Sequence, residues 1–316
     1  AFPLAVTLAA GVVLALTPGV VDHKLALMMF CAGAFVVATV TQEFVRGTRA
    51  RRAMTSEAPP VALLSLVRRN RRRYGGYVVH AGVAVALIGV AASTSFQHSV
   101  TATIKPGQSA SVDGYTVRYV RPTASATPEK IALGAVLAVS SGGRHVATLH
   151  TTYGLYPSQD PLHPIGRFFD GSTESQVGLK AGLTQDIWTV INRNVAPLQG
   201  LINQGDARFA RFLNDALVMA PGPRARALSE LYQLRDAAIR GLAQRFISHP
   251  WPSTFLLIVS PLVSWLWAGA IIAALGGLLA LWPLPPPRRR RLPTPPATDG
   301  GDGMASPQDT RARELV

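Results

Sequence analysis

Arg71-Arg72-Arg73-Tyr74-Gly75-Gly76-Tyr77-Val78-Val79-His80-Ala81-Gly82-Val83-Ala84-Val85-Ala86-Leu87-Ile88-Gly89-Val90-Ala91-Ala92-Ser93-Thr94-Ser95 opens on three arginines and then carries no charge from Tyr74 to Ser95. A helix rises about 1.5 Å per residue, so about 20 residues cross a hydrocarbon core of roughly 30 Å. The run meets that length. Three further apolar runs flank it: Phe2 to Val21, Leu25 to Thr41 and Pro261 to Trp282. Leu25–Thr41 is short by itself, and Gln42, Glu43 and Phe44 extend it into the headgroup zone. The pattern predicts an α-helical membrane protein with four transmembrane helices. The first run lacks the basic leader and small-residue cleavage site of a signal peptide, and a chain that starts at Ala1 inside an apolar run reads as a piece of a longer polypeptide.

Charge predicts the orientation. Residues 46–73 hold nine arginines and one acid, Glu57, and Arg288 to Arg291 follow the last run. Short segments rich in Lys and Arg stay in the cytoplasm. Both basic segments then face inward, and the crossings between them are even in number, which sends residues 96–260 outside. The formal net charge of +14 is concentrated where anionic lipid headgroups lie, which argues against a nucleic-acid partner. Cys31 is the single cysteine and falls in the second run. The outer residues therefore hold no disulfide, and the chain itself performs no dithiol chemistry.

The resulting plan has two transmembrane helices in 1–45, a basic cytoplasmic loop in 46–73, and a third transmembrane helix in 74–95. An extracytoplasmic domain follows in 96–260, then a fourth transmembrane helix in 261–283 and a disordered cytoplasmic tail in 284–316. Within 96–260, Val100, Ala102 and Ile104 alternate with polar residues, as do Tyr115, Val117 and Tyr119. Turns are marked at Pro106-Gly107, Asp113-Gly114 and Gly142-Gly143. Short alternating strands between such turns predict a small antiparallel β-domain. Residues 192–247 have helical apolar spacing instead (Phe209, Phe212, Leu213; Leu228, Leu231, Ile239, Leu242, Phe246), with Gly222-Pro223 between the two stripes. They predict a helical insertion. The segment 284–316 has too few apolar groups to fold.

His80 is the candidate site. It lies six residues after Tyr74, about 9 Å along the helix. A titratable ring at that depth is costly and faces protein rather than lipid. Two readings stay open: a hydrogen bond bridging two helices, or ligation of haem iron through one ring nitrogen. Gly75, Gly82 and Gly89 recur every seven residues, and Gly269 and Gly276 repeat the spacing. Such a seam admits a second helix or a flat ligand. His23, His98 and His249 are placed near the outer surface, with Trp251, Trp265 and Trp267 in an aromatic belt. His145 and His150, five apart in a strand, are expected on opposite faces. No nucleophile motif or phosphate loop is present, and no catalytic residue is assigned.

The segment from Asn70 to Val83, with Tyr-Gly-Gly-Tyr-Val-Val-His80 at its centre, resembles the CcmF family, the haem-handling component of bacterial cytochrome c haem lyase. Thr173 to Trp188 (Thr-Glu-Ser-Gln-Val-Gly-Leu-Lys-Ala-Gly-Leu-Thr-Gln-Asp-Ile-Trp) and Pro261 to Trp267 followed by Ala274 to Trp282 are similar to further family segments, in the same order. The resemblance implies the C-terminal part of a longer protein. It further implies a b-type haem with His80 as an axial ligand to the iron and with Gly76 and Tyr77 in the haem pocket. The implied role is to assist covalent attachment of haem to apocytochrome c outside the cell (inner) membrane, with haem b as electron relay. The implied partners are a haem chaperone, apocytochrome c, a thiol-redox or apocytochrome-presenting subunit, and the N-terminal part of the same protein. The family's second transmembrane histidine and its tryptophan-rich outer motif have no match here, and the stretch 192–247 departs from the family pattern. The alternative is a haem-free membrane anchor or assembly module whose outer domain docks partner proteins.

A cysteine introduced at Ser141 is expected to react with an impermeant thiol reagent added to intact protoplasts, and one at Ser56 is not. Labelling at Ser56 alone overturns the orientation.

Overall fold

A computed structural model describes residues 1–282, and the tail expected over 284–316 lies outside the described residues. The first apolar run folds as α1 (Phe2–Ala15). Its 14 residues rise about 21 Å, so it is shorter than the span expected to Val21. The reason is local: Pro18 disfavours helix in Thr17 before it, and Gly19 turns the chain with φ 81°. α2 (Lys24–Thr55) is one helix of 32 residues. The basic loop expected over 46–73 is instead helical. α2 continues through Arg46, Arg49, Arg51 and Arg52 until Ser56 adopts a left-handed φ of 56°, and α3 (Pro59–Arg69) follows. Arginine is a good helix former, and Pro59 and Pro60 open α3, where a missing N–H breaks no bond. Two 2.9 Å hydrogen bonds from the Arg51 guanidinium to the Glu57 carboxylate close the connection.

α4 (Arg71–Ser95) leads within three residues into β1 (His98–Ile104). There follow β2 (Ser109–Val112), β3 (Tyr115–Ala126), β4 (Ile131–Ser141), β5 (Arg144–Leu155), the single turn α5 (Arg167–Asp170), β6 (Thr173–Gln176), β7 (Gly178–Lys180) and β8 (Gln185–Ile191). After α6 (Gln199–Leu217) and α7 (Pro221–Ser248), the chain returns through β9 (Ser253–Pro261) to α8 (Val263–Leu281). The turns at Asp113-Gly114 and Gly142-Gly143 have φ of 42°, 76°, 55° and 77°, the mirror-image turns whose twist suits two-residue hairpins. All pairings are antiparallel. One sheet runs β1-β9-β8-β7 and the other β2-β3-β4-β5-β6.

The core lies where the two sheets curl over one another. In β9 every second residue points inward, so Ser253, Phe255, Leu257 and Val259 are buried. They meet Val117, Tyr119, Leu133 and Leu137 of the other sheet, and the Tyr119 ring stands edge-on to Phe255 at 5.0 Å. The buried Thr151 hydroxyl spans the sheets: it donates to the Gln176 carbonyl (3.1 Å) and accepts from the Ile191 amide (3.2 Å). β4 is buried almost throughout, because α7 also packs on β3 and β4 and contributes Ile239, Ala243 and Phe246 to the core. The break between α6 and α7 falls at Val218–Ala220 rather than at Gly222-Pro223. Proline is tolerated in a first helical turn, so Pro221 starts α7 and Gly222-Pro223 lie within it. Trp251 is also misplaced by the sequence reading. Ser253 pairs with Ile104, at the opposite end of the β1–β9 ladder from His98 and Val259, which lie next to the helix ends. Trp251 therefore stands far from α4 and α8, against Phe246 of α7 (centroids 4.8 Å).

Among the described residues three helices, α2, α4 and α8, are long and apolar enough to cross a membrane. α4 and α8 touch backbone to backbone. A Cβ on Gly75 would lie 2.7 Å from the Ala280 nitrogen and the Gly276 oxygen, and one on Gly82 2.6 Å from the Gly269 oxygen. One on Gly276 would lie 2.6 Å from the Val79 nitrogen. Of the two partners the seam could admit, it holds the second helix. At Gly76, by contrast, a Cβ would meet nothing within 4 Å. Gly82→Leu must push two backbones apart and is expected to lower stability by about 2–3 kcal/mol or more. Gly76→Ala is expected to be neutral or to stabilise by up to about 1 kcal/mol. Thermal unfolding of the two variants in one detergent checks this.

Candidate functional site: the His80 groove

Helical periodicity separates the two faces of α4. Gly75, Gly82 and Gly89 lie against α8. Residues 76, 80, 83 and 87, spaced four, three and four apart, share a different face. Along that face α4 and α2 enclose an open groove of about 360 Å³, lined by Ala32, Gly33 and Val36 of α2 and by Val79, His80, Val83, Ala84 and Leu87 of α4. Small residues make it. A Cβ on Gly33 would lie 2.8 Å from the Ile88 side chain, so a larger residue there would wedge α2 away. Apart from the imidazole the lining is wholly apolar.

The His80 ring is exposed in this groove. Among the described residues it has no hydrogen-bond partner, so no helix bridge through its ring is made among them. An imidazole on an apolar face of a helix of this length is a polar group that still requires a partner. One ring nitrogen can ligate a metal while the other donates to an acceptor, and an apolar groove suits the flat face of a porphyrin. The residues present therefore fit a haem. His80 would ligate the iron, and Val36, Val83 and Leu87 would meet the macrocycle.

The other two expected pocket residues are placed differently. Gly76 lies one turn before His80, with open space where a side chain would be. The Tyr77 hydroxyl is engaged elsewhere. It donates to Glu43 (3.1 Å) and accepts from Arg73 Nε (2.9 Å), while Arg73 Nη2 donates to Glu43 (2.7 Å). This triad locks the start of α4 to α2 and so holds the mouth of the groove. Nothing in the spacing of Glu43 and Tyr77, 34 residues apart, marks them as partners.

The remaining histidines do not converge, and the described residues include no cluster of three His, Cys, Asp or Glu that could hold a metal. His145 and His150 are both exposed rather than on opposite faces. A bulge where the pairing shifts past Val139 inserts one extra residue and resets the alternation. His163 pairs with Asp160 at 2.7 Å; this hydrogen bond raises the imidazole pKa and lowers that of the carboxyl. Two buried acids serve architecture. Asp186 accepts the Gly182 amide (2.8 Å). Asp206, which sequence reasoning passed over, accepts the Ile165 amide (2.7 Å) and the Gly166 amide (3.2 and 3.3 Å), fastening α6 to the segment before α5.

No protein-family model matches the chain. The chain is 24% identical over 211 residues to the cytochrome c-type biogenesis protein CcmF of Pseudomonas aeruginosa, an alignment covering 66% of this chain and 29% of that protein. Its fold is similar to that of a solved cytochrome c heme lyase CcmF, with a TM-score of 0.54 and 18% identity over 89% of this chain and 34% of the other. The chain thus spans about a third of the length of the relatives it matches. The sequence similarity agrees with the resemblance to the CcmF family seen around His80, and the structural match shows a shared fold.

Because the exposed His80 ring makes no hydrogen bond among the described residues, His80→Ala is expected to leave the unfolding free energy of the haem-free protein unchanged within about 0.5 kcal/mol. Chemical denaturation in detergent measures this. A loss above 1 kcal/mol would show a structural contact.

Proposed function

We propose that this chain is the C-terminal part of a haem lyase component that assists covalent attachment of haem to apocytochrome c outside the cell membrane. The observation that carries the reading is the placement of His80. It stands partnerless in an apolar groove, on a face of α4 away from the glycine seam. The similarity to CcmF proteins supports the same role.

In this reading His80 would hold a b-type haem through one ring nitrogen, and the haem would supply one-electron redox chemistry. The protein's own part is positional. Ala32, Gly33 and Val36 keep α2 close without filling the groove, and the Glu43–Arg73–Tyr77 triad fixes the register of α2 on α4. Apart from the imidazole, the walls of the groove are apolar. A second ligand would have to come from outside the described residues. The β-domain, extracytoplasmic in this reading, presents its surface to the haem chaperone and to the subunit that brings apocytochrome c. The thioether bonds form on the client's cysteines, since the one cysteine here, Cys31, lies in α2.

His80→Ala in the full-length protein is expected to abolish or strongly reduce the b-type Soret and α bands and to block cytochrome c maturation. Added imidazole is expected to restore part of the spectrum by entering the space left by the side chain. Full haem occupancy with an unaltered reduced spectrum would remove His80 as ligand and leave the haem-free assembly module as the reading.

A further inference from the structure

α3 joins the ends of α2 and α4, and the haem reading makes no use of it. Both flanking helices are long and apolar enough to cross a membrane, and Arg46 to Arg52 carry the charged end of α2 past its apolar stretch, so the connection between their ends lies on one side of the bilayer, beside its surface, whichever way the protein is oriented. Its eleven residues are Pro-Pro-Val-Ala-Leu-Leu-Ser-Leu-Val-Arg-Arg. Ala62 is fully buried, which fixes the face that α3 turns to the protein, while Val61 and Leu64 are 52% and 56% exposed. Val61, Leu64 and Arg68 follow one another at helical spacing and share one face. Met54, 78% exposed, adds to the apolar surface at the end of α2. This is a stripe of bare hydrocarbon that ends in charge.

The charge around it is unspent. Glu57 engages Arg51 and Glu43 engages Arg73. Arg46, Arg49, Arg52, Arg68, Arg69 and Arg72 are exposed, and among the described residues none has an acid partner. Like charges gathered so densely repel one another unless an anionic surface meets them. A short amphipathic helix with an apolar stripe and a cationic rim lies in the membrane interface, its stripe against acyl chains and its cations among headgroups. Guanidinium groups hold phosphodiesters through paired N–H donors. The position between two spanning-length helices selects the bilayer as occupant.

We propose that α3 and the arginines flanking it form a binding site for anionic phospholipid headgroups, which seats the α2–α4 pair at a fixed depth. The proposal rests on the membrane reading of α2 and α4 and not on haem at His80.

The test titrates the full chain in a neutral detergent with phosphatidylglycerol and, separately, phosphatidylcholine, with bound lipid counted by native mass spectrometry. A basic residue near an anionic membrane surface is worth about fivefold in affinity, so phosphatidylglycerol is expected to bind at least about tenfold more tightly and to weaken as salt rises. Arg68→Gln with Arg69→Gln should remove most of that preference, while Arg68→Lys with Arg69→Lys keeps it. Equal binding of the two lipids to the unchanged chain, or a preference untouched by the glutamine pair, overturns the proposal. A polarity-sensitive fluorophore on Leu64→Cys, in a Cys31→Ser background, should emit further to the blue in phosphatidylglycerol nanodiscs than the same fluorophore on Ser56→Cys in the same nanodiscs. Identical emission at the two positions overturns the apolar half of the site. Because the b-type spectrum of the Arg68 and Arg69 variants should be unchanged, failure here and failure at His80 are read separately.

Discussion

The structure depends on the approach of α4 and α8 to backbone contact. At Gly75, Gly82 and Gly89 on one helix and Gly269 and Gly276 on the other, a single added carbon would meet main-chain atoms. Close approach of this kind lets van der Waals packing hold two helices where the hydrophobic effect between them is weak. The consequence reaches beyond the helices. α4 passes directly into β1 and β9 passes directly into α8, and β1 pairs with β9 from His98–Val259 to Ile104–Ser253. Two helices and two strands thus form one antiparallel ladder, and the glycine seam brings the strand ends together for pairing. The junction into α8 carries strain. Leu262 has φ 55°, a conformation that costs a non-glycine residue about 1–3 kcal/mol. It is held by the hydrogen bond that its N–H donates to the Thr184 carbonyl (3.0 Å) and by the Ser264 hydroxyl, which donates to the Gly182 carbonyl.

With α8 committed to the glycine face, the remaining faces of α4 are left for α2 and for the groove. This division gives His80 its character. A ring on the seam would have been crushed between backbones. On the groove face it meets only small and apolar side chains. The polar contacts that bind α2 to α4 are displaced toward the start of α4, where Glu43, Arg73 and Tyr77 meet. The groove itself stays apolar and open.

The insertion between β8 and β9 follows the same logic of using existing surfaces. α7 covers the outer side of β3 and β4 and lends Phe246 to the core. α6 is tethered through the buried Asp206 carboxylate and two backbone amides. The hairpin is therefore an integral layer of the β-domain.

Much of this was legible in the chain. Long uncharged runs announce helices of membrane length, because a hydrocarbon core of about 30 Å admits little else. Period-two alternation and Gly-containing turns announce the strands, because side-chain direction in a strand depends only on local geometry. His80 stood out as a polar ring in an apolar run. What the sequence left open concerns distance between residues remote in the chain. It could not say whether the glycine seam held a helix or a ligand, since either demands the same small residues. It hid the bulge that places His145 and His150 on one side, because one extra residue leaves no mark on composition. It put Trp251 beside the helices, when strand pairing carries it to the far end. It showed arginines in 46–73 but not that helix α3 gathers them around an apolar stripe, since a charge run reads the same in a loop and on a helix. Local chemistry determined which elements form; only tertiary contact decided which of their faces are spent on one another and which remain free.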